Sequence, residues 1–282
     1  MGRVTERRPV VRVRGGRVDR RADTLVAEEP LEIRLAGRPL AITMRTPGDD
    51  FALAAGFLVS EGVLARGAEL ASVTYCAGAA TATGAGGAAG GNTYNVVDVR
   101  PAAGVVLPDI TLERNVYTTS SCGLCGKASL DAVRTTARWP VGDADMRLTP
   151  EVLSALPARL RAGQRVFDRT GGLHAAALFT PAGELLDLRE DVGRHNAVDK
   201  LVGRALREDR LPLAGTVLMV SGRASFELAQ KAAMAGIPVL AAVSAPSSLA
   251  VDLAAETGMT LVGFLRRDAM NVYAGEQRVA LD

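Results

Sequence analysis

Thr216-Val217-Leu218-Met219-Val220, then Ser221-Gly222-Arg223-Ala224-Ser225, then Phe226 to Ala235, Gly236 and Val239-Leu240-Ala241-Ala242-Val243 is the stretch that decides the fold class. A continuous apolar run ends on a Ser/Gly loop, a segment with helical apolar spacing follows, a glycine stops it, and a second continuous apolar run resumes. Strands without polar alternation are buried on both faces. Joined through a helix, they predict a parallel or mixed sheet covered by helices on either side.

The alternation extends both ways from this unit. Leu173 to Phe179 and Leu185 to Leu188 read as strands about the turn Pro181-Ala182-Gly183, Asn196 to Arg207 and Leu249 to Glu256 as helices, and Leu261 to Leu265 as a closing strand. Thr149-Pro150-Glu151 opens a helix with Leu153, Leu156 and Leu160 on one face. Nearer the amino terminus, Leu31 to Leu35 and Leu40 to Met44 alternate about Gly37 as a hairpin, Phe51 to Ser60 has helical spacing, and Tyr94 to Val99 reads as a strand. The Ala/Gly/Thr run from Ala77 to Gly91 reads as a flexible surface loop. Three regions follow: residues 1–27 as a mobile basic arm, 28–140 as a smaller α+β part, and 141–282 as a C-terminal α/β part that binds a cofactor.

Composition limits the setting. The chain has 282 residues, 48% of them hydrophobic, enough for one large core or two modest ones. No stretch is long and apolar enough to span a bilayer. The arginines between Arg3 and Arg21 lead into Ala22-Asp23-Thr24 rather than an apolar signal core, which argues against secretion. A net charge of +2 gives no support for nucleic-acid binding. Three cysteines without an even framework suit a reducing cytoplasm.

The chemistry centres on Ser120-Ser121-Cys122-Gly123-Leu124-Cys125-Gly126-Lys127. Two thiols three residues apart leave open a metal half-site, a dithiol couple, a sulfur-carrying nucleophile or plain packing. Only Cys76, His174 and His195 remain as further soft ligands, so a four-ligand zinc site would have to gather distant segments, and no metal of its own is expected. Only three of the 33 basic residues are lysines, Lys127, Lys200 and Lys231. Such scarcity suggests places where a compact ammonium is wanted, and Lys127 beside Cys125 would favour thiolate.

Two loops share one form. Ser221 to Ser225 and Ser244 to Ser248 each follow a strand and lead into a helix, where free N–H groups, Ser hydroxyls and Arg223 suit an anion such as a nucleotide phosphate. Ordinary N-capping is the alternative. The polar run from Arg189 to Lys200 follows an apolar strand, holds a Gly hinge and His195, and reads as a site-lining loop. His174 is either ligand-facing or a satisfied core histidine.

With these residues in place the chain resembles the formate dehydrogenase accessory sulfurtransferase family, FdhD. The resemblance rests on Glu29 to Ile33, Thr46 to Asp50, Ser121 to Lys127, Thr170 to Ala176, Arg189 to Lys200, Ser244-Ala245-Pro246 and Val262 to Arg266, spread over nearly the whole chain. It implies a cytidine deaminase-like fold with a smaller N-terminal part, and a homodimer. It also implies a sulfurtransferase that takes persulfide sulfur from a cysteine desulfurase. The sulfur goes to the molybdenum, or tungsten, bis-pterin guanine dinucleotide cofactor of formate dehydrogenase. Cys122 corresponds to the family's persulfide cysteine, Cys125 to its partner, and Gly263-Phe264-Leu265-Arg266-Arg267-Asp268 to its cofactor-binding stretch. Ser221, Arg223, Ser244, His174 and His195 complete the expected cofactor site. A chaperone that binds and inserts the cofactor without transferring sulfur is the alternative. Nucleoside deamination is disfavoured, because no His-x-Glu and no Pro before the Cys pair is present. A thioredoxin-like oxidoreductase fits less well still, since the pair does not follow a strand near the start of a compact domain.

Overall fold

The computed structural model describes residues 3–76, 93–107, 133, 136–142 and 145–281. The loop Ala77 to Gly91 and the residues Cys122, Cys125 and Lys127 lie outside the described residues. The segment expected as a basic arm is a regular antiparallel ribbon of β1 (Thr5–Arg14) and β2 (Arg17–Val26). Gly15 and Gly16 turn it, with φ of 53° and 78°. Two consecutive positive φ values are what a two-residue hairpin turn requires, and only glycine adopts them without cost. Val13 pairs with Val18, and both are exposed, as are most of the arginines on the two strands.

The expected hairpin is β3 (Glu29–Leu35) with β4 (Arg38–Arg45). Helix α1 (Asp50–Ser60) follows, then β5 (Leu70–Tyr75), which the sequence reading left without structure, and β6 (Val96–Pro101). They form a four-stranded sheet in the order β4-β3-β6-β5, with β3 and β6 parallel.

Next come α2 (Pro150–Gly163), capped by the Thr149 hydroxyl accepting from Val152 N, and a short α3 (Arg165–Thr170). The series continues through β7 (His174–Phe179), β8 (Leu185–Asp191), α4 (Arg194–Arg207), β9 (Val217–Val220) and α5 (Phe226–Met234). It ends with β10 (Val239–Ala242), α6 (Ser248–Thr257), β11 (Thr260–Arg266) and β12 (Ala269–Ala274). These strands make a mixed six-stranded sheet, β12-β11-β10-β9-β7-β8, in which β9, β10 and β11 are parallel. The series does not stop at Leu265 as read. A turn at Arg267-Asp268 returns β12 antiparallel to β11.

Side chains alternate across a strand, and here both faces are apolar. Ala176, Leu178, Leu218, Val220 and Leu240 join the cluster beneath α4, α5 and α6, whereas Ala177, Phe179, Val217, Met219 and Val239 meet Leu153, Leu156 and Leu160 of α2. The first cluster also takes in Leu31 and Ile33 of β3 and Leu53 and Leu58 of α1. The described residues of 28–140 therefore share a core with those of 141–282. The closest approach is at α1 and α4, where a Cβ on Gly203 would collide with the carbonyl of Ala52 and one on Gly56 with that of Asp199.

Candidate functional site

Five segments end on one edge of the large sheet. Val192 follows β8, Ser221 follows β9, Val243 follows β10, Phe264 to Arg267 ends β11, and His174 begins β7, which runs against its neighbours. The carboxyl edge of such a sheet, where helices depart on both faces, is where an open cleft forms and ligands bind. The cleft here is walled by α2 and α3. Its first part is a cavity of about 620 Å³ lined by Pro157, Arg161, Phe167, His174, Ser221 and Val243, among others. A second cavity shares Pro157, Arg161 and Val243 and extends to Leu265, Arg266 and Arg267. The two are halves of one groove.

The groove brings together His174, Ser221, Leu265, Arg266 and Arg267 of the expected cofactor site. Gly263, Phe264, Asp268, Arg223, Ser244 and His195 do not line it. Gly263 is nonetheless fixed, since a Cβ there would come within 2.9 Å of Pro246 Cδ and 3.0 Å of Tyr273 Cε2. Phe264 has φ 51° and an exposed ring, its N–H donating to Ser244 O at 3.2 Å. For a bulky side chain that backbone is strained, and pairing with Ser244 holds it. Sequence reading missed Arg161, Gln164 and Phe167. They stand at the junction of α2 and α3, and nothing in their spacing marks them.

The two loops expected to cradle an anion are zipped to each other. Ala224 N donates to Ala245 O, Ser244 N to Gly222 O and Ser247 N to Ala224 O, so these N–H groups are spent. Ser247 caps α6 in the ordinary way, its hydroxyl accepting from Ala250 N. The Ser221 hydroxyl accepts from Ala175 N at 2.9 Å while facing the groove. His195 Nε2 lies 2.8 Å from Glu227 Oε2 and 3.4 Å from Ser225 Oγ, and Ser225 also donates to Glu227. A carboxylate in the first turn of α5 thus already occupies the favourable helix end.

The run from Arg189 to Lys200 divides. Asp191, fully buried, accepts from Thr46 N, Gly193 N and Asn196 Nδ2 and pairs with Lys200 at 2.7 Å. Asn196 also donates to Met44 O. One helical turn on, Asp199 pairs with Lys231 at 2.8 Å and accepts from the Ser60 hydroxyl. These residues tie β4 and α1 to α4 and α5 rather than line the groove. Both lysines are desolvated, in keeping with the expectation that scarce lysines stand where a compact ammonium is needed. Glu190 fixes the groove wall, its carboxylate accepting from Val166 N and Phe167 N at 2.9 and 2.8 Å across the start of α3.

His174 packs against the Gly222 backbone, and burial, helped by the positive charge of Arg194 and His195 against an opposing Asp191, pushes its pKa below the ordinary imidazole range. Near neutral pH it presents a neutral ring to the groove. Among the described residues no group of three or more His, Cys, Asp or Glu is placed to hold a metal ion. No helix among them is long and apolar enough to cross a membrane.

The profile of the FdhD/NarQ family matches residues 26–280. Two similar proteins are both called sulfur carrier protein FdhD. That of Streptomyces avermitilis is 78% identical over 282 residues, covering 100% of this chain and 98% of its own. That of Mycobacterium tuberculosis is 55% identical over 279 residues, covering 99% and 100%. A solved structure from Desulfotalea psychrophila, assigned as a formate dehydrogenase accessory protein, superposes with a TM-score of 0.74 at 23% identity, covering 99% of this chain and 100% of that one. At that identity it shows a shared fold.

Proposed function

The chain belongs to the FdhD/NarQ family, and from that premise we propose that it is a sulfur carrier in the maturation of formate dehydrogenase. The observation that carries the reading is its 78% identity, end to end, with a protein named for that role. Cys122, which lies outside the described residues, is the sulfur-bearing residue. Its thiolate attacks the outer sulfur of a persulfide on a cysteine desulfurase. A bond from Cys122 Sγ to that sulfur forms, the donor's S–S bond breaks, and the donor cysteine leaves as thiolate. The sulfane sulfur changes carrier without net oxidation. Lys127 favours the thiolate of Cys122, and Cys125 assists as the second thiol.

The acceptor is the molybdenum or tungsten bis-pterin guanine dinucleotide, written here as substrate. The groove is chemically suited to it: Arg161, Arg266 and Arg267 offer guanidinium groups to a diphosphate, and Pro157 and Val243 give an apolar floor. The chain acts as a homodimer in the cytoplasm. Its larger mixed sheet, with three parallel strands between antiparallel edges, supports a cytidine deaminase-like reading of that layer.

The test is intact mass after incubation with a cysteine desulfurase and cysteine. One added sulfur is expected on the protein and on Cys76→Ala, and none on Cys122→Ala. A protein that gains no sulfur but still activates formate dehydrogenase would be a cofactor chaperone instead.

A further inference from the structure

The β1–β2 ribbon is attached to the body only at its base. There Ala27 N donates to Val4 O, Arg169 donates to the Thr5 hydroxyl at 3.5 Å, and Val26 lies against Gly172. Residues directly opposite in an antiparallel pair share a face, and faces alternate along the strand. The register therefore puts Pro9, Val11, Val13, Val18 and Ala22 on the same face as Thr5 and Val26. Most of the arginines take the other face, where Arg8 pairs with Glu6 and Arg21 with Asp23. The apolar face begins on the body and runs on without cover: Val11 is 54% exposed, Val13 65% and Val18 66%. A two-stranded ribbon with one bare apolar face is marginal in water by itself, so this surface calls for an occupant.

Two observations select that occupant. The ribbon carries seven arginines against Glu6, Asp19 and Asp23, a net charge of +4, whereas the whole chain is +2, so the rest of the chain sums to −2. Arm and body are of opposite sign. The second is area. Beyond its base the ribbon is about 30 Å long and about 10 Å wide, so laying one arm on another protein removes roughly 600 Å² from water, counting both surfaces. That is less than a specific interface needs, but two arms placed reciprocally about a two-fold axis give roughly 1,200 Å², which suffices. We propose that the apolar face of the β1–β2 ribbon docks on the body of a second copy of this chain, each copy giving one arm and receiving one. This rests on the homodimer reading and assigns a surface to it.

The experiment measures the dimer dissociation constant of the full chain by sedimentation over a concentration series. Val11→Thr, Val13→Thr and Val18→Thr combined should raise it at least about tenfold, because each threonine keeps the shape and strand preference of valine while removing an apolar contact. Val10→Thr, on the charged face, should leave it within about twofold. Far-ultraviolet circular dichroism of the triple variant should match that of the parent. Trypsin cleavage at the ribbon arginines of the parent should slow as the protein passes from monomer to dimer. If the parent dimerises but the triple variant does so equally well, or ribbon cleavage ignores dimerisation, the dimer uses another surface and the arm is refuted while the homodimer reading stands. Equal weakening by Val10→Thr would also refute the assigned face. A parent that stays monomeric throughout the series would remove both readings.

Discussion

The Lys200 ammonium lies 2.7 Å from Asp191 Oδ2, with both side chains shut away from water, and it donates at 2.9 Å to the carbonyl of Thr46. This pair joins the end of β8 to the first turns of α4 and to the loop before α1. Removing one member of a buried pair strands the other charge. Lys200→Met is therefore expected to lower stability by about 3–5 kcal/mol, read from urea denaturation. An unchanged midpoint would show that the pair is open to solvent.

The crossing of α1 and α4 should be equally intolerant, for a steric reason. A methyl at Gly203 would sit inside the contact distance of Ala52 O and Gly56 N, backbone atoms that cannot rotate away. Gly203→Ala should cost about 1–3 kcal/mol or more, although alanine is the better helix former by about 1 kcal/mol. A stabilised variant would mean the helices are further apart.

Much of this arrangement was legible in the sequence, and what was not has identifiable causes. The strands Val217–Val220 and Val239–Ala242 announce themselves because burial on both faces removes every polar residue. Strand β12 carries Asn271 and exposed positions, so it has no such signature. The β1–β2 ribbon was hidden because most of it is exposed, valines and arginines alike, so no apolar alternation marks it, and the Gly15-Gly16 turn was the available clue. In the polar run after β8, charge density looked like a site, yet Asp191, Asn196 and Lys200 satisfy one another out of solvent. Sequence shows that charges are clustered but not which way they face. Arg266 and Arg267 were found through a motif, whereas Gln164 and Phe167 were not, since only the folding of α2 and α3 against the sheet edge places them in the groove.

Tyr75 gives an alkaline test of the small sheet. Burial first, then the charge of Asp50 and the hydrogen bond that Tyr75 donates to it at 3.0 Å, push the phenol up to about 12 against the opposing Arg45. The unfolded phenol ionises near 10, so the folded state holds a proton that the unfolded state has lost. Stability should fall as pH rises from about 10 toward 12, and one of the four tyrosines should ionise last in a phenolate absorbance titration. Tyr75→Phe should remove that last step. If all four phenols titrate together near 10 in the folded protein, the contact with Asp50 is absent.

Sulfur loading should depend on one thiol. Activation of formate dehydrogenase is expected to vanish in Cys122→Ala and to persist in Cys76→Ala, whose half-buried side chain sits at the end of β5, away from the groove. Cys125→Ala should fall between them. Full activation by Cys122→Ala would remove the persulfide relay.

His174 supplies a pH readout inside the groove. Its imidazole is held below the ordinary range by burial first and by the charges of Arg194 and His195, so as pH falls below about 6.5 the unfolded chain takes up a proton before the folded one does. Stability should therefore decline as pH falls from about 6.5 through the depressed folded value, and His174→Gln should flatten that decline. With only two histidines in the chain, carbon-detected imidazole titration can follow each ring separately. The His174 midpoint is expected below 6.5 in the free protein and should move upward when GDP or pyrophosphate enters the groove, because a nearby anion favours the imidazolium. A midpoint at or above 6.5 without ligand would contradict the buried ring. A depressed midpoint that ignores both anions would mean that phosphate binds away from this end of the groove.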